Sequence, residues 1–182
     1  MKALRCWLGM LQLALLAVLI SSPVSQAQDV PVADVSVGYS PLYIVKGYTI
    51  WMNGGRGTIA VNANDWFGMA ADFGGYEGHV PQLITGETYT FGPRFSYRKL
   101  DRLVPFGQAL FGGSHFSTST GGITGGGSQF TFALGGGADY LLGSSRKFAL
   151  RLEGDYFGIR SAATTTPSVR LGIGLTYRIG QR

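Results

Sequence analysis

Cysteine is all but missing from this 182-residue chain: the single one, Cys6, stands before an apolar run. A lone cysteine excludes a disulfide framework and a cysteine metal site, and no thiol nucleophile is left once the leader is gone. Its place ahead of the apolar run also excludes a lipoprotein acylation site. Histidine is scarce as well. His79 and His115 are the only two, and neither has a second histidine or a cysteine at ligand spacing, so no metal site and no cofactor are expected. The glycine runs Gly125–Gly127 and Gly135–Gly137 lack the lysine and helix that a phosphate loop requires. Charge is sparse, at 14% of residues. The formal net of +5 falls to +3 when Lys2 and Arg5 are set aside with the leader, too weak and dispersed for a nucleic-acid surface. After the leader no run of 18 apolar residues exists, which excludes a membrane-spanning helix. Apolar spacing of helical period is missing too.

What is present begins with an address. Lys2 and Arg5 precede an apolar stretch from Trp7 to Ile20, and Ser25-Gln26-Ala27 offers small residues where a signal peptidase reads. Residues 1–27 are therefore expected to be a signal peptide, 28–33 a short lead, and 34–180 one domain. Exported without disulfides, that domain must draw its stability from a sheet, a membrane, or both.

Period-two alternation dominates the rest. Between Thr88 and Arg98, Tyr89, Phe91, Pro93, Phe95 and Tyr97 share one face, while Thr90, Arg94, Ser96 and Arg98 share the other. Between Ser168 and Gly180, Val169, Leu171, Ile173, Leu175 and Tyr177 oppose Arg170, Gly172, Gly174, Thr176 and Arg178. Gln129–Leu142 and Lys147–Tyr156 repeat the pattern, and Asp34–Tyr43, Gly57–Asn64 and Trp66–Tyr76 show it more weakly. Leu103–Phe116 is strand-like in composition with muddled alternation, completing eight strands. The connectors are short at Asn64-Asp65, Lys99–Arg102 and Gly143–Ser145, and long at Ile44–Gly55, Glu77–Glu87, Ser117–Gly127 and Arg160–Pro167. Long and short connectors in alternation are the layout of an up-and-down membrane barrel. Pro93 and Pro105 fall mid-strand, where a bulge or bend is expected.

Alternation does not say which face is inside. A soluble ligand-binding barrel would turn its aromatics inward and a charged face to water. Here only Lys46, Lys99 and Lys147 remain beyond the leader, all in connectors or at a strand start. The polar face consists of Gly, Ala, Ser and Thr with Arg94, Arg98, Arg151, Arg170 and Arg178 set against Asp72, Asp139, Glu153 and Asp155. That balanced set on small-residue strands suits the interior of a narrow barrel, where charges must be paired. The apolar face then meets lipid, with Tyr43, Trp66, Tyr76, Tyr89, Tyr97, Tyr156 and Tyr177 expected in interfacial belts. Glu153 and Arg170 are expected to form one of the interior pairs, which would make the lumen a structural plug more than a conduction path.

Four segments carry a family resemblance: Trp66–Gly75, Phe91–Arg98, Pro105–Gly113 and Ala133–Asp139. On these the chain resembles the small outer-membrane β-barrel proteins, the OmpA-like and OmpX-like eight-stranded barrels, and most of all their acidobacterial type. The resemblance spans most of 34–180. It implies an all-β, eight-stranded antiparallel up-and-down transmembrane barrel in the bacterial outer membrane, reached by export to the periplasm. It also implies outer-membrane lipid and the assembly machinery as partners, and a monomer. Arg170, Gly172, Leu175 and Tyr177 resemble the last-strand signal that this machinery reads.

The expected role is structural or interactive, with slow passage of small solutes as its extension. The alternative is catalytic. His115-Phe116-Ser117 resembles the His-x-Ser layout of outer-membrane lipid A deacylases, where the histidine activates the serine toward an ester and a carboxylate orients the histidine. No acidic residue near position 115 is evident in the sequence.

Overall fold

The computed structural model describes residues 30–46, 48–80, 82–120, 123–161 and 164–180; the expected signal peptide and the first residues of the lead lie outside them. The described residues form one closed antiparallel sheet. Its segments are β1 (Ala33–Tyr39), β2 (Leu42–Lys46), β3 (Tyr48–Asn62), β4 (Phe67–Val80), β5 (Gln82–Ser96), β6 (Leu103–Thr120), β7 (Ile123–Leu142), β8 (Phe148–Ser161) and β9 (Thr164–Ile179). β1 and β2 are halves of one strand, since both pair with β3 and both with β9 in unchanged register. Pro41 removes one N–H between them, yet Ser40 N donates to Gly54 O at 2.8 Å and Leu171 N to Pro41 O at 3.2 Å. The barrel is therefore eight-stranded, closed by the first strand against β9, with every strand beside its sequence neighbours.

All eight expected strands are present, but they run longer than the sequence pattern suggests. Complete strands are 14 to 20 residues, against the ~9–11 that cross a bilayer. The surplus lies at one end. The segments expected as long connectors, Ile44–Gly55, Glu77–Glu87, Ser117–Gly127 and Arg160–Pro167, are mostly continued ladder, as in Asn53↔Glu77, Ser117↔Gly126 and Arg160↔Thr165. Their Gly, Ser and Thr content reads as loop, yet paired backbone needs no apolar side chain to stay extended. At the other end the connectors are tight. Asn64 Oδ1 accepts from Trp66 N at 3.0 Å and Phe67 N at 2.7 Å. The turn after β7 takes Gly143 at φ 65° and Arg146 at φ 51°, the latter held to Asp101 at 2.6 Å.

The outward face is apolar: Val37, Phe73, Phe91, Leu134, Leu152 and Ile173 are all about half exposed or more. Such a face overturns the soluble-barrel alternative, because water would meet the apolar side chains while the charged ones are enclosed. Trp66 stacks on Phe95 at 5.9 Å and Phe148 meets Tyr177 at 5.1 Å near the tight-turn end. Tyr76 departs from the expected belt. It points into the lumen, 4% exposed, because it shares the parity of Asp72 on β4. The muddled alternation of β6 has a similar cause: its Val104, Phe106 and Leu110 turn inward. Neither mid-strand proline makes a bulge. Across β5 and β6 the register at Phe91↔Phe111 resumes unchanged at Arg94↔Gln108, and only the pairing between them is lost.

Candidate functional site

Because side chains alternate, each strand sends every second residue into a lumen with room only for its own wall. The polar parity places all nine sequence-picked charges there: Asp72, Arg94, Arg98, Asp139, Arg151, Glu153, Asp155, Arg170 and Arg178. Two more join them, Asp34 and Arg56. Neither stood out in the sequence, since Asp34 lies at a strand start and Arg56 directly follows an expected loop. Together they make three tiers.

The tier nearest the tight turns centres on Asp34. Asn62 Nδ2 donates to Asp34 Oδ2 at 3.0 Å and to Pro31 O at 3.0 Å. Arg98 Nη2 donates to Asn62 Oδ1 at 2.9 Å and reaches Asp34 at 3.4 Å, while Arg178 Nε stands 3.8 Å away. The second tier centres on Asp139. Arg151, directly opposite it on β8, engages both carboxylate oxygens at 2.7 Å. Arg94 adds a contact at 3.1 Å and Thr176 one at 3.3 Å. Arg151 also donates to Ser36 at 2.9 Å, and the Phe106 ring lies beneath both guanidiniums, 3.9 Å from Arg94 and 4.8 Å from Arg151.

The third tier holds Arg56, Asp72, Glu153, Asp155 and Arg170. Arg170 is wholly buried and bridges Asp72 at 2.8 Å, Asp155 at 2.9 Å and the Tyr76 hydroxyl at 3.2 Å. Arg56 binds Asp72 and Glu153 and reaches Asp155 at 3.1 Å. The expected Glu153–Arg170 pair is not formed. Arg170 sits directly across from Asp155 in the β8–β9 ladder, whereas Glu153 faces Gly172 and turns to Arg56. Beside Ser36, Arg56, Thr58, Arg151 and Glu153, between the second and third tiers, a cavity of about 10 Å³ remains, room for one water. Past the third tier the lumen is filled by Leu42, Ile44, Ile50, Met52, Phe157 and Ile159. These bonds tie strands far apart in sequence, as Arg56 to Glu153, so the network braces the barrel from within.

On the outer wall, beyond the apolar band, the candidate catalytic residues take an unexpected arrangement. His115 Nδ1 bonds to Ser128 Oγ at 3.1 Å, its partner across the β6–β7 ladder, and no such bond joins it to Ser117. The carboxylate not evident in sequence is supplied by topology: Glu87 stands opposite His115 across the β5–β6 ladder. Of the last-strand pattern, Arg170 and Gly172 face inward while Leu175 and Tyr177 are exposed on the outer face.

Residues 12–178 match the family described as outer membrane protein beta-barrel domain. Among solved structures the chain is similar to Neisserial surface protein A, at 14% identity and a TM-score of 0.70, covering 81% of this chain and 97% of that one. It is similar to the attachment invasion locus protein Ail of Yersinia pestis, crystallised with the heparin analogue sucrose octasulfate (18%, TM-score 0.60, covering 81% and 97%). It is also similar to OprG of Pseudomonas aeruginosa (10%, TM-score 0.55, covering 85% and 99%). No curated protein matches the chain. These likenesses concern the fold.

Proposed function

The chain belongs to the outer membrane protein beta-barrel domain family and so to the bacterial outer membrane; from that premise we propose that it is a monomeric, non-conducting scaffold that holds extended hairpins beyond the outer leaflet. In such barrels the short turns face the periplasm and the long connections face outside. The tall hairpins of β4–β5 and β6–β7 are thereby the part available to other molecules. The observation that carries the reading is the three-tiered ion-pair lumen, which leaves space for a single water between its inner tiers. A hydrated ion passing it would have to separate several buried pairs, each strongly unfavourable to break. Purified barrel in planar bilayers is expected to show no discrete conductance steps, and the Glu153→Gln variant none either. Steps in the wild type, or steps in Glu153→Gln with unfolding stability intact, would establish that the charges gate a pore.

One observation favours a second reading. Glu87, His115 and Ser128 form a continuous outward row across three strands, with Ser117 one step along on the same face. A carboxylate, a histidine and a serine together are the elements of an esterase acting on lipid A. Release of acyl chains from lipid A vesicles, abolished by His115→Ala and by Ser117→Ala, is what that reading requires. Release that survives Ser117→Ala and is lost in Ser128→Ala would move the nucleophile to Ser128.

A further inference from the structure

The seam between β5 and β6 differs from the other seams in the barrel. Pairing is continuous through β4–β5, β6–β7, β7–β8 and β8–β9. Between β5 and β6 it stops at Phe91↔Phe111, resumes for Arg94↔Gln108, Phe95↔Gly107 and Ser96↔Phe106, and ends there. Both prolines lie on this seam and take away its donors. Tyr97 N donates to Pro105 O at 2.8 Å, so residues of this parity on β5 exchange bonds with β6, but Pro105 has no N–H to return. Pro93 has the same parity and also lacks one, leaving the Ala109 carbonyl opposite without a ladder donor. Gly92 makes room for that carbonyl, which would collide with any Cβ there. Between the two prolines, Phe95↔Gly107 alone is a fully bonded pair.

Outside this seam lies a groove of about 300 Å³, lined by Trp66, Phe95, Tyr97, Pro105 and Gly107 and reaching Ser96 and Phe106. The last two have lumen parity and are nearly buried, so the groove enters the wall where the strands part. Behind it stands Arg94, 1% exposed, stacked on the same Phe106 ring at 3.9 Å. Its Nη2 reaches Asp139, but Nε and Nη1 have no partner, and the Gln108 Oε1 directly across the seam has none either. The three tiers contain six arginines against five carboxylates, so the interior has positive charge to spare.

We propose that this seam binds a single-chain anionic amphiphile, its hydrocarbon chain in the outer groove and its head group on the free N–H donors of Arg94, reached when the Phe106 ring turns aside. The groove's walls are aromatic, proline and glycine, which suit an alkyl chain, and its volume is at the small end of ligand sites. The donors behind the wall are cationic and buried, which selects an anion over a neutral head group. The two prolines keep the strands separable at the one place where groove and donors meet.

Trp66 reports on the groove directly. With Trp7 and Trp51 replaced by Phe, it is the sole tryptophan of the chain, and the full-length barrel in phosphatidylcholine nanodiscs can be titrated with 11-bromoundecanoate and with 11-bromoundecanol. Saturable quenching by the carboxylate, at least about tenfold tighter than by the alcohol, is expected. Arg94→Gln should abolish the difference between the two probes. Pro93→Val with Pro105→Val restores both donors without touching the lumen charges. It should slow amide exchange at Phe95 and Gly107 and weaken carboxylate binding by about tenfold or more. Equal, non-saturating quenching by both probes would overturn the proposal, leaving only ordinary lipid contact. Carboxylate binding unchanged in the ladder-restored barrel would overturn the role of the seam.

Discussion

Asp139 offers a test in which the network predicts an asymmetry that pairwise thinking does not. Among the described residues, Asp139 is the only carboxylate within salt-bridge reach of both Arg94 and Arg151. Asp139→Asn therefore strands two buried guanidiniums, and breaking a buried pair in this way costs about 3–5 kcal/mol. Arg151→Met is milder. Asp139 keeps Arg94 at 3.1 Å and Thr176 at 3.3 Å, so the loss approaches that of charged hydrogen bonds, about 1.5–3 kcal/mol. In the double variant one guanidinium is stranded instead of two, that of Arg94, so the combined cost should fall short of the sum by about 0.5–3 kcal/mol. The assay is urea unfolding from phosphatidylcholine vesicles, followed by tryptophan fluorescence and by the gel shift between folded and heat-unfolded barrel. Arg151→Met as damaging as Asp139→Asn, or strictly additive costs, would refute the bidentate pair and the shared role of Asp139.

Two further outcomes follow from the barrel's orientation and closure. Phe91→Arg, at one of the most exposed apolar positions, should cost about 2–4 kcal/mol in vesicles if it lies near the midplane, whereas a wall facing water would tolerate it within experimental scatter. Tyr177→Ala, on the outer face of β9, should slow insertion by reconstituted assembly machinery severalfold while leaving spontaneous folding in detergent nearly unchanged; equal slowing of both would mean that Tyr177 serves packing against Phe148 and not recognition.

The eight strands and the sidedness of the wall were legible in the sequence because both rest on period two, which any stretch such as Tyr89–Tyr97 displays locally. The partners inside the lumen were not. Glu153 and Arg170 lie on neighbouring strands, but register sets Arg170 across from Asp155 and leaves Glu153 to Arg56, three strands around the barrel wall. A register is a property of two strands and their turn, and no single strand contains it. Tyr76 and Phe106 were hidden for a related reason. Their parity is lumenal, but an aromatic among polar residues looks misplaced until Arg170 and Arg94 are found against them. Glu87 beside His115 is likewise a ladder relation between residues far apart in the chain.

The strand ends show why the hairpins passed for loops. On β4, Met69 and Phe73 face outward low in the wall, but Glu77 and His79 hold the same outward parity higher up. On β5, Tyr89 and Phe91 give way to Glu87 and Thr85, and on β6, Phe111 gives way to His115 and Ser117. The inward face changes in the opposite sense. Arg56 is followed toward the turn by Met52 and Ile50 on β3, and Asp155 by Phe157 and Ile159 on β8. Within the bilayer, lipid takes the apolar side chains and the closed lumen shelters paired charges. Beyond it, water takes the outward face, and the hairpins can hold together only by turning apolar residues inward, as a sheet in water does. The alternation therefore keeps its period but reverses its phase at the outer interface. A reading that follows one apolar face sees it end there and infers a loop. The strand continues, and the reversal marks the height at which the barrel leaves the lipid.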